Sequence, residues 1–304
     1  MTITVVGNIT RDTLIFPDQN WKIVNGLGGT MYTVITLASL TNQEIRLVCN
    51  VGDDIIGTVT ELLGKFPNIH LSGIKEFKGN HFHCYILFAS PYGTQFDEGL
   101  EIPASYTQVK PFMKDSDFIL VSPMTGFDLS LHSLKRMRTT SNCPIYFDYH
   151  ILSLQRDAMG NRYLKRRKNW IEWCTGCDHL QMNQFEAESL ALFPIKSEND
   201  IMSFAKPILS RGVVSVAVTL GESGALICWQ HPNKKIYSAK LNVNYGGEVV
   251  DATGCGDVFA ASFIVRYMKT RDIFESYQFA NELAGEKCGF SGFDGFAELR
   301  RKYD

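Results

Sequence analysis

Apolar positions along this chain fall into short runs that alternate with longer segments of helical spacing. A short apolar run between turn residues predicts a buried strand, and apolar residues three or four apart predict a helix. The predicted strands are Thr2–Asn8, Leu47–Val51, Phe118–Val121, Ile145–Phe147, Val213–Leu220 and Ala225–Trp229. The predicted helices are Met31–Leu40, Val59–Phe66, Ser130–Arg138, Ile201–Leu209 and Glu275–Cys288. This alternation is typical of an α/β fold with a mostly parallel, twisted sheet and helices on both faces.

Two stretches interrupt the alternation. Residues from about 10 to 25 and from about 80 to 106 contain β-forming residues and turn residues without helical spacing. We predict that they form strands outside the main sheet and that these strands make a small β-rich lid. Because no internal repeat or low-complexity linker divides the chain, residues 1–304 are predicted to form a single domain that carries this lid.

The segment from Val249 to Val265 combines chemistry with structure. Its sequence predicts a strand end at Val249–Val250, a glycine-containing turn, and then a helix that is apolar nearly all round and therefore buried. Glycines let the backbone approach a ligand closely, and the unpaired N–H groups at a helix N-terminus attract anions. Asp257 stands at the edge of this predicted anion site, where its carboxylate could accept a proton from a hydroxyl.

Composition narrows the classes of function. Apolar residues make up 45% of the chain and the formal net charge is −2, which gives no electrostatic argument for nucleic acid or an anionic membrane as a partner. We see no signal peptide and no apolar run of membrane-spanning length, so we expect a cytoplasmic protein whose eight cysteines are reduced thiols. The chain contains no P-loop motif, and no G-x-G-x-x-G follows its first strand, so phosphate must be held in another way.

Two further features have simple explanations. Cys174-Thr175-Gly176-Cys177 is a C-x-x-C motif, but no second such motif completes a zinc site, so a zinc-dependent interaction protein is only a minor alternative. The basic run from Arg162 to Lys168 predicts a solvated helix face.

The segment Asp251–Asp257, which reads D-A-T-G-C-G-D, resembles the D-T-x-G-A-G-D signature of the ribokinase-like (PfkB) carbohydrate and nucleoside kinases. Ala252 and Cys255 depart from that signature, but both are small. The resemblance implies a ribokinase-like three-layer fold, ATP as donor and a hydroxyl as acceptor. It also implies the catalytic set, with Asp257 as the base beside the backbone N–H groups of Gly254, Cys255 and Gly256.

Other stretches resemble the family in the same order along nearly the whole chain. Asp12 and the double glycine Gly28-Gly29 resemble its substrate-binding residues, and Thr33 stands near a position where the family often has a substrate-contacting Asn. The predicted nucleotide-binding residues are Thr219, Gly221, Gly224 and Asn281.

Asn183-Gln184-Phe185-Glu186 resembles the N-x-x-E motif of the family, which implies that Asn183 and Glu186 organise Mg²⁺. The same spacing also predicts a helix N-cap with its capping-box partner, and the two interpretations are compatible.

We therefore predict an ATP- and Mg²⁺-dependent kinase that phosphorylates a hydroxyl of a small sugar or sugar-like molecule. Two alternatives remain open: a nucleoside or another non-sugar alcohol as acceptor, and a family member that binds ligand without catalysis. Lids often pair between subunits in this family, so the resemblance also allows a homodimer through the lid.

Overall fold

A computed structural model describes residues 1–88, 94–243, 245–293, 295–296 and 298–299. Residues 89–93 of the predicted lid lie outside the described residues, as does the end of the chain.

The centre of the molecule is a large sheet. Its strands are β1 (Thr2–Gly7), β4 (Glu44–Gly52), β5 (Ile69–His70), β6 (Ile74–Phe77), β9 (Phe118–Ser122), β10 (Ile145–Asp148), β13 (His179–Asn183), β14 (Ser215–Thr219), β15 (Ala225–Gln230) and β16 (Ile236–Leu241). The strand order is β16-β15-β14-β13-β10-β9-β1-β4-β5, with β6 also paired to β4. All neighbouring strands are parallel except β14–β15 and β15–β16, which are antiparallel.

Helices cover both faces of this sheet. They are α1 (Thr30–Leu40), α2 (Ile56–Leu63), α3 (Tyr106–Met113), α4 (Leu131–Thr140), α5 (Trp170–Cys174), α6 (Gln184–Ala191), α7 (Glu198–Leu209), α8 (Cys255–Thr270) and α9 (Ile273–Lys287). Apolar residues of α1, α2, α8 and α9 share one core cluster, and those of α3 to α7 share a second. The three-layer α/β architecture is therefore confirmed.

The central position of β1 and α8 follows from their sequences. Every residue of β1 is buried, as expected for a parallel strand covered on both faces. Residues 258–265 of α8 are all buried as well, because this helix packs against α1 and α9 within the first core cluster. The predicted anion-binding turn is thus attached to one of the most buried helices among the described residues.

The two interrupting stretches contain the strands of a separate four-stranded sheet in the order β3-β2-β7-β8. These strands are β2 (Ile9–Phe16), β3 (Lys22–Gly29), β7 (His83–Leu87) and β8 (Thr94–Glu98). A hairpin of β11 (Leu154–Arg156) and β12 (Arg162–Leu164) lies beside β8. A homodimer through this four-stranded sheet stays a prediction.

The predicted helices are confirmed, with ends that differ by up to three residues. Two other predictions are wrong. Val249 and Val250 are not part of a strand: both are exposed, and the Val250 N–H donates to the Cys288 carbonyl instead of a neighbouring strand. The basic run is not a helix face, because Arg162 belongs to β12 and forms a buried ion pair with Asp97.

Among the described residues, no helix is both long enough and apolar enough to span a membrane. Cys174 and Cys177 are buried free thiols in the second core cluster.

Candidate active site

The turn before α8 depends on a glycine at its last position. Gly254 has φ +80°, a conformation that residues with a side chain rarely adopt, and it is the N-cap of α8. A Cβ at this position would lie 2.4 Å from Cδ1 of Tyr32 in α1. The turn therefore rests directly on an aromatic ring of the neighbouring helix.

The N–H groups of this turn divide into two kinds. Thr253 donates to Oδ1 of Asp251 at 2.8 Å, and Cys255 donates to the Ala252 carbonyl at 3.2 Å. Within the described part of the chain, the N–H groups of Ala252, Gly254 and Gly256 have no acceptor. Of the three predicted catalytic N–H groups, those of Gly254 and Gly256 are thus open to an anion together with that of Ala252, whereas that of Cys255 is already bonded.

Lys287 of α9 stabilises the turn through hydrogen bonds of its side chain. Its side chain is fully buried, and its Nζ donates to the carbonyls of Asp251 at 3.3 Å and Phe290 at 3.0 Å. Ser291 adds a bond to Oδ2 of Asp251 at 3.0 Å. A buried lysine is uncommon, and here it fixes the residue at which the turn begins.

Asp257 lies in the first turn of α8 and is partly accessible to solvent. Thr33 of α1 donates its hydroxyl to Oδ1 of Asp257 at 2.6 Å. Burial raises the pKa of Asp257 to about 7; the bond from Thr33 opposes this shift, and the charge of Asp12 adds to it. A carboxyl group that titrates near neutrality has the proton affinity expected of a general base. Thr33 is fully buried, and its hydroxyl is bonded to Asp257. Its contact with substrate stays a prediction.

The predicted substrate-binding residues meet where the lid joins α1. Gly28 of β3 lies against the Asp12 carboxylate, because a Cβ there would be 1.8 Å from Oδ2. Gly29 has φ +62° and is the N-cap of α1. Burial raises the pKa of Asp12 to about 6, and the charge of Asp97 adds to this shift. Asp12 lines a cavity of about 760 Å³ together with Arg11, Asn25, Asp54 and Phe293.

All four predicted nucleotide-binding residues line a second cavity of about 390 Å³. Thr219 ends β14, Gly221 and Gly224 form the turn that follows, and the Asn281 amide of α9 donates to the Asn242 carbonyl at 2.9 Å. Ala252, Cys255 and Gly256 line the same cavity. This cavity therefore reaches the predicted anion-binding turn, and Asp257 follows Gly256 directly.

Asn183 and Glu186 form a complete capping box at the start of α6. Oε2 and Oε1 of Glu186 accept from the Asn183 backbone and side-chain amides at 2.8 and 2.7 Å. The charge of Glu186 also affects Asp148: burial, and then the charges of Glu186 and Asp257, raise the pKa of Asp148 well above its ordinary value.

The carboxylates of Asp148 and Glu186 could bind Mg²⁺ as part of a site that also includes ligands from outside the protein. A divalent cation relieves the mutual repulsion of buried acids, and Mg²⁺ prefers oxygen ligands while keeping several waters. Among the described residues, no three His, Cys, Asp or Glu side chains converge to hold a metal ion. The remaining ligands would therefore come from water and substrate phosphates.

The sequence patterns missed three residues of the site. Gln181 of β13 donates to the Gly256 carbonyl at 3.0 Å and accepts from the Tyr146 hydroxyl at 2.7 Å, so it fixes the start of α8 to the central sheet. The patterns do not predict a role for Asp148 or Lys287 either. A usable signal was present for Gln181 and Asp148: both are polar residues near the carboxyl end of an apolar parallel strand, where open α/β sheets bind ligands.

Comparisons with known proteins show which proteins the chain is similar to. Residues 157–295 match the pfkB family carbohydrate kinase profile. A deoxyribokinase of Salmonella typhi is 30% identical over 90% of this chain and 88% of its own length. A cytidine kinase of Thermococcus kodakarensis is 25% identical over 94% of this chain and 95% of its own length. The ribokinase of Arabidopsis thaliana, solved with ribose and ATP, shares the fold with a TM-score of 0.71 at 17% identity, with 98% of each chain covered.

Proposed function

The chain belongs to the pfkB family of carbohydrate kinases, and from this premise we propose that it transfers the γ-phosphoryl group of ATP to a hydroxyl of a small sugar or sugar-like substrate. The position of Asp257 carries the proposal. Its neighbour Gly256 lines the smaller cavity. Asp12 lines the larger cavity, and its charge adds to the rise that burial causes in the pKa of Asp257. A base between a donor cavity and an acceptor cavity is what phosphoryl transfer to an alcohol requires.

The acceptor occupies the larger cavity, where Asp12 binds its hydroxyls. Because Thr33 occupies Oδ1 of Asp257, Oδ2 is the oxygen that receives the proton of the attacking hydroxyl. As the phosphoryl group moves, charge spreads over its peripheral oxygens. The N–H groups of Gly254 and Gly256 stabilise that charge from the start of α8.

Asp148 and Glu186 would hold Mg²⁺ jointly with the donor phosphates, and the bound ion would neutralise part of the phosphate charge. The protein positions these acids through structure of its own. Asp148 ends β10, and Glu186 is held by the capping box of α6. Both elements also lie next to Gln181, which fixes α8 in place.

A nucleoside acceptor is the second candidate. The acceptor cavity of about 760 Å³ is large for a single sugar ring, Phe293 provides an aromatic surface in it, and a relative of similar length is a cytidine kinase. Turnover measured with sugars, sugar acids and nucleosides separates the two acceptors. ATP, GTP and pyrophosphate tested as donors against each acceptor identify the donor.

The variant Asp257→Asn tests the base. The amide keeps the shape and the bond from Thr33, but it cannot take a proton. We expect turnover to fall roughly 10²–10⁴-fold while binding of an ATP analogue stays near that of the native protein. Lys269→Met, an exposed change on the same helix, is the matched control.

Near-native turnover of Asp257→Asn would refute Asp257 as the base. If the native protein binds nucleotide and acceptor without consuming ATP, it is instead a ligand-binding member of the family.

A further inference from the structure

Two cysteine sulfurs meet at the anion-binding turn. Sγ of Cys255, the first residue of α8, lies 3.2 Å from Sγ of Cys288, which directly follows α9. Five of the eight cysteines are buried, whereas Cys255 and Cys288 are partly accessible. Both line the smaller cavity of about 390 Å³, which is the proposed nucleotide cavity. The pair is therefore open to small molecules that enter this cavity.

The environment of the pair favours one reactive thiolate. The hydrogen bond from the Cys255 thiol lowers the pKa of Cys288 to about 7, and the positive charge of neighbouring Lys287 acts in the same direction. The same hydrogen bond and burial raise the pKa of Cys255. An accessible thiolate with a second thiol in contact is the arrangement that peroxides oxidise readily.

We propose that Cys255 and Cys288 are a redox-sensitive thiol pair, which peroxide converts to a disulfide that closes the nucleotide site. The Cys288 thiolate attacks one peroxide oxygen, the O–O bond breaks, and one water leaves after protonation. The Cys255 thiol then attacks the sulfur of the resulting sulfenic acid, the S–S bond forms, and the second water leaves. The two thiols are oxidised and the peroxide is reduced to two waters.

Both sulfurs are attached to the structure that binds phosphate. The Cys288 carbonyl accepts from the N–H groups of Val250 at 2.7 Å and Asp251 at 3.2 Å, at the entrance to the turn. Cys255 follows Gly254 at its exit. Bond formation would bring the sulfurs from 3.2 Å to about 2 Å apart and so draw the entrance and the exit together. A displacement of about 1 Å in such a site can cost on the order of 100-fold in rate.

The inference rests on the proposed function only for its effect, because the oxidation itself needs no phosphoryl transfer. The first measurement is therefore chemical. Reduced protein is treated with hydrogen peroxide, with and without a non-hydrolysable ATP analogue. The remaining thiols are then alkylated, and the peptides are mapped by mass spectrometry. We expect one linked pair of peptides containing Cys255 and Cys288, formed more slowly when the analogue fills the cavity.

The second measurement is binding of the same analogue by calorimetry before and after oxidation. We expect roughly a tenfold or greater loss of affinity that dithiothreitol reverses, because displaced N–H donors lose their charged hydrogen bonds to the nucleotide phosphates. Each variant is compared with its own reduced form. Cys288→Ala should lose the response, and Cys143→Ala should keep it, because Cys143 is equally accessible but bonds to Ser141 away from the site.

Absence of the Cys255–Cys288 link, or a link between Cys174 and Cys177 instead, would overturn the proposal. A link without loss of nucleotide affinity would overturn its regulatory part. If the reduced protein phosphorylates no acceptor but the link forms, the kinase proposal fails while the thiol pair stands.

Discussion

The hydrogen bond between Thr33 and Asp257 should control the pH at which the base works. Asp257 acts as a carboxylate, and with a pKa of about 7 it is half ionised at neutral pH. Activity should therefore rise with pH through this value and level off above it. Thr33→Val removes the 2.6 Å bond while keeping nearly the same side-chain shape.

The size of the effect follows from the bond. A hydrogen bond to a charged group contributes about 1.5–3 kcal/mol, and one pKa unit corresponds to about 1.4 kcal/mol. Loss of the bond destabilises the carboxylate, so the pKa of Asp257 should rise by about one to two units. At pH 7 the ionised fraction then falls from about one half to about one tenth or less, and kcat falls at least about fivefold.

The assay is kcat and kcat/KM from about pH 6 to about pH 10 with saturating ATP. We expect the acid limb of Thr33→Val to move to higher pH, and activity to recover at the alkaline end. Thr33→Ser keeps the donor and is the matched control, so its profile should follow that of the native protein. An unmoved limb in Thr33→Val, or an equal shift in Thr33→Ser, would refute the role of this bond.

Two further predictions concern the turn. Gly254→Ala places a Cβ against the Tyr32 ring at a positive φ, so it should lower both the melting temperature and the nucleotide affinity. The control is Gly212→Ala, where φ is +95° but a Cβ would have nothing within 4 Å, and its losses should be smaller. Equal losses in the two variants would show that the contact with Tyr32 does not matter. Lys287→Met leaves the Asp251 and Phe290 carbonyls without their donor, and each unsatisfied carbonyl costs about 1–3 kcal/mol of folding stability. Urea unfolding should therefore show a clear destabilisation, and KM for ATP should rise. The exposed Lys269→Met should change neither, and an equally mild Lys287→Met would contradict the supporting role.

Local patterns predicted most of the architecture because each helix and parallel strand is encoded by its own periodicity. The same patterns failed where a distant partner decides the structure. Val249–Val250 has strong β propensity, but a strand also needs a neighbour, and here the Val250 N–H is taken by the end of α9. Arg162 belongs to a charged run, yet tertiary contact with the lid strand β8 buries it beside Asp97.

The candidate site shows the same division. The residue types and their order along the chain were sufficient to predict the glycine turn before α8, whereas the base and the two binding regions stay predictions. Their functional contacts were not predictable from local spacing, since Thr33 and Asp257 are 224 positions apart.

The sequence by itself determined the alternation of strands and helices, the glycines of the turn and the acid that follows them, because these depend on residues close together in the chain. Only the tertiary structure decided that Thr33 tunes Asp257, that Lys287 supports the turn, and that Cys255 meets Cys288. Each of these depends on how α1, α8 and α9 pack together. That packing is set by burial of whole helix faces, which no short stretch of sequence encodes.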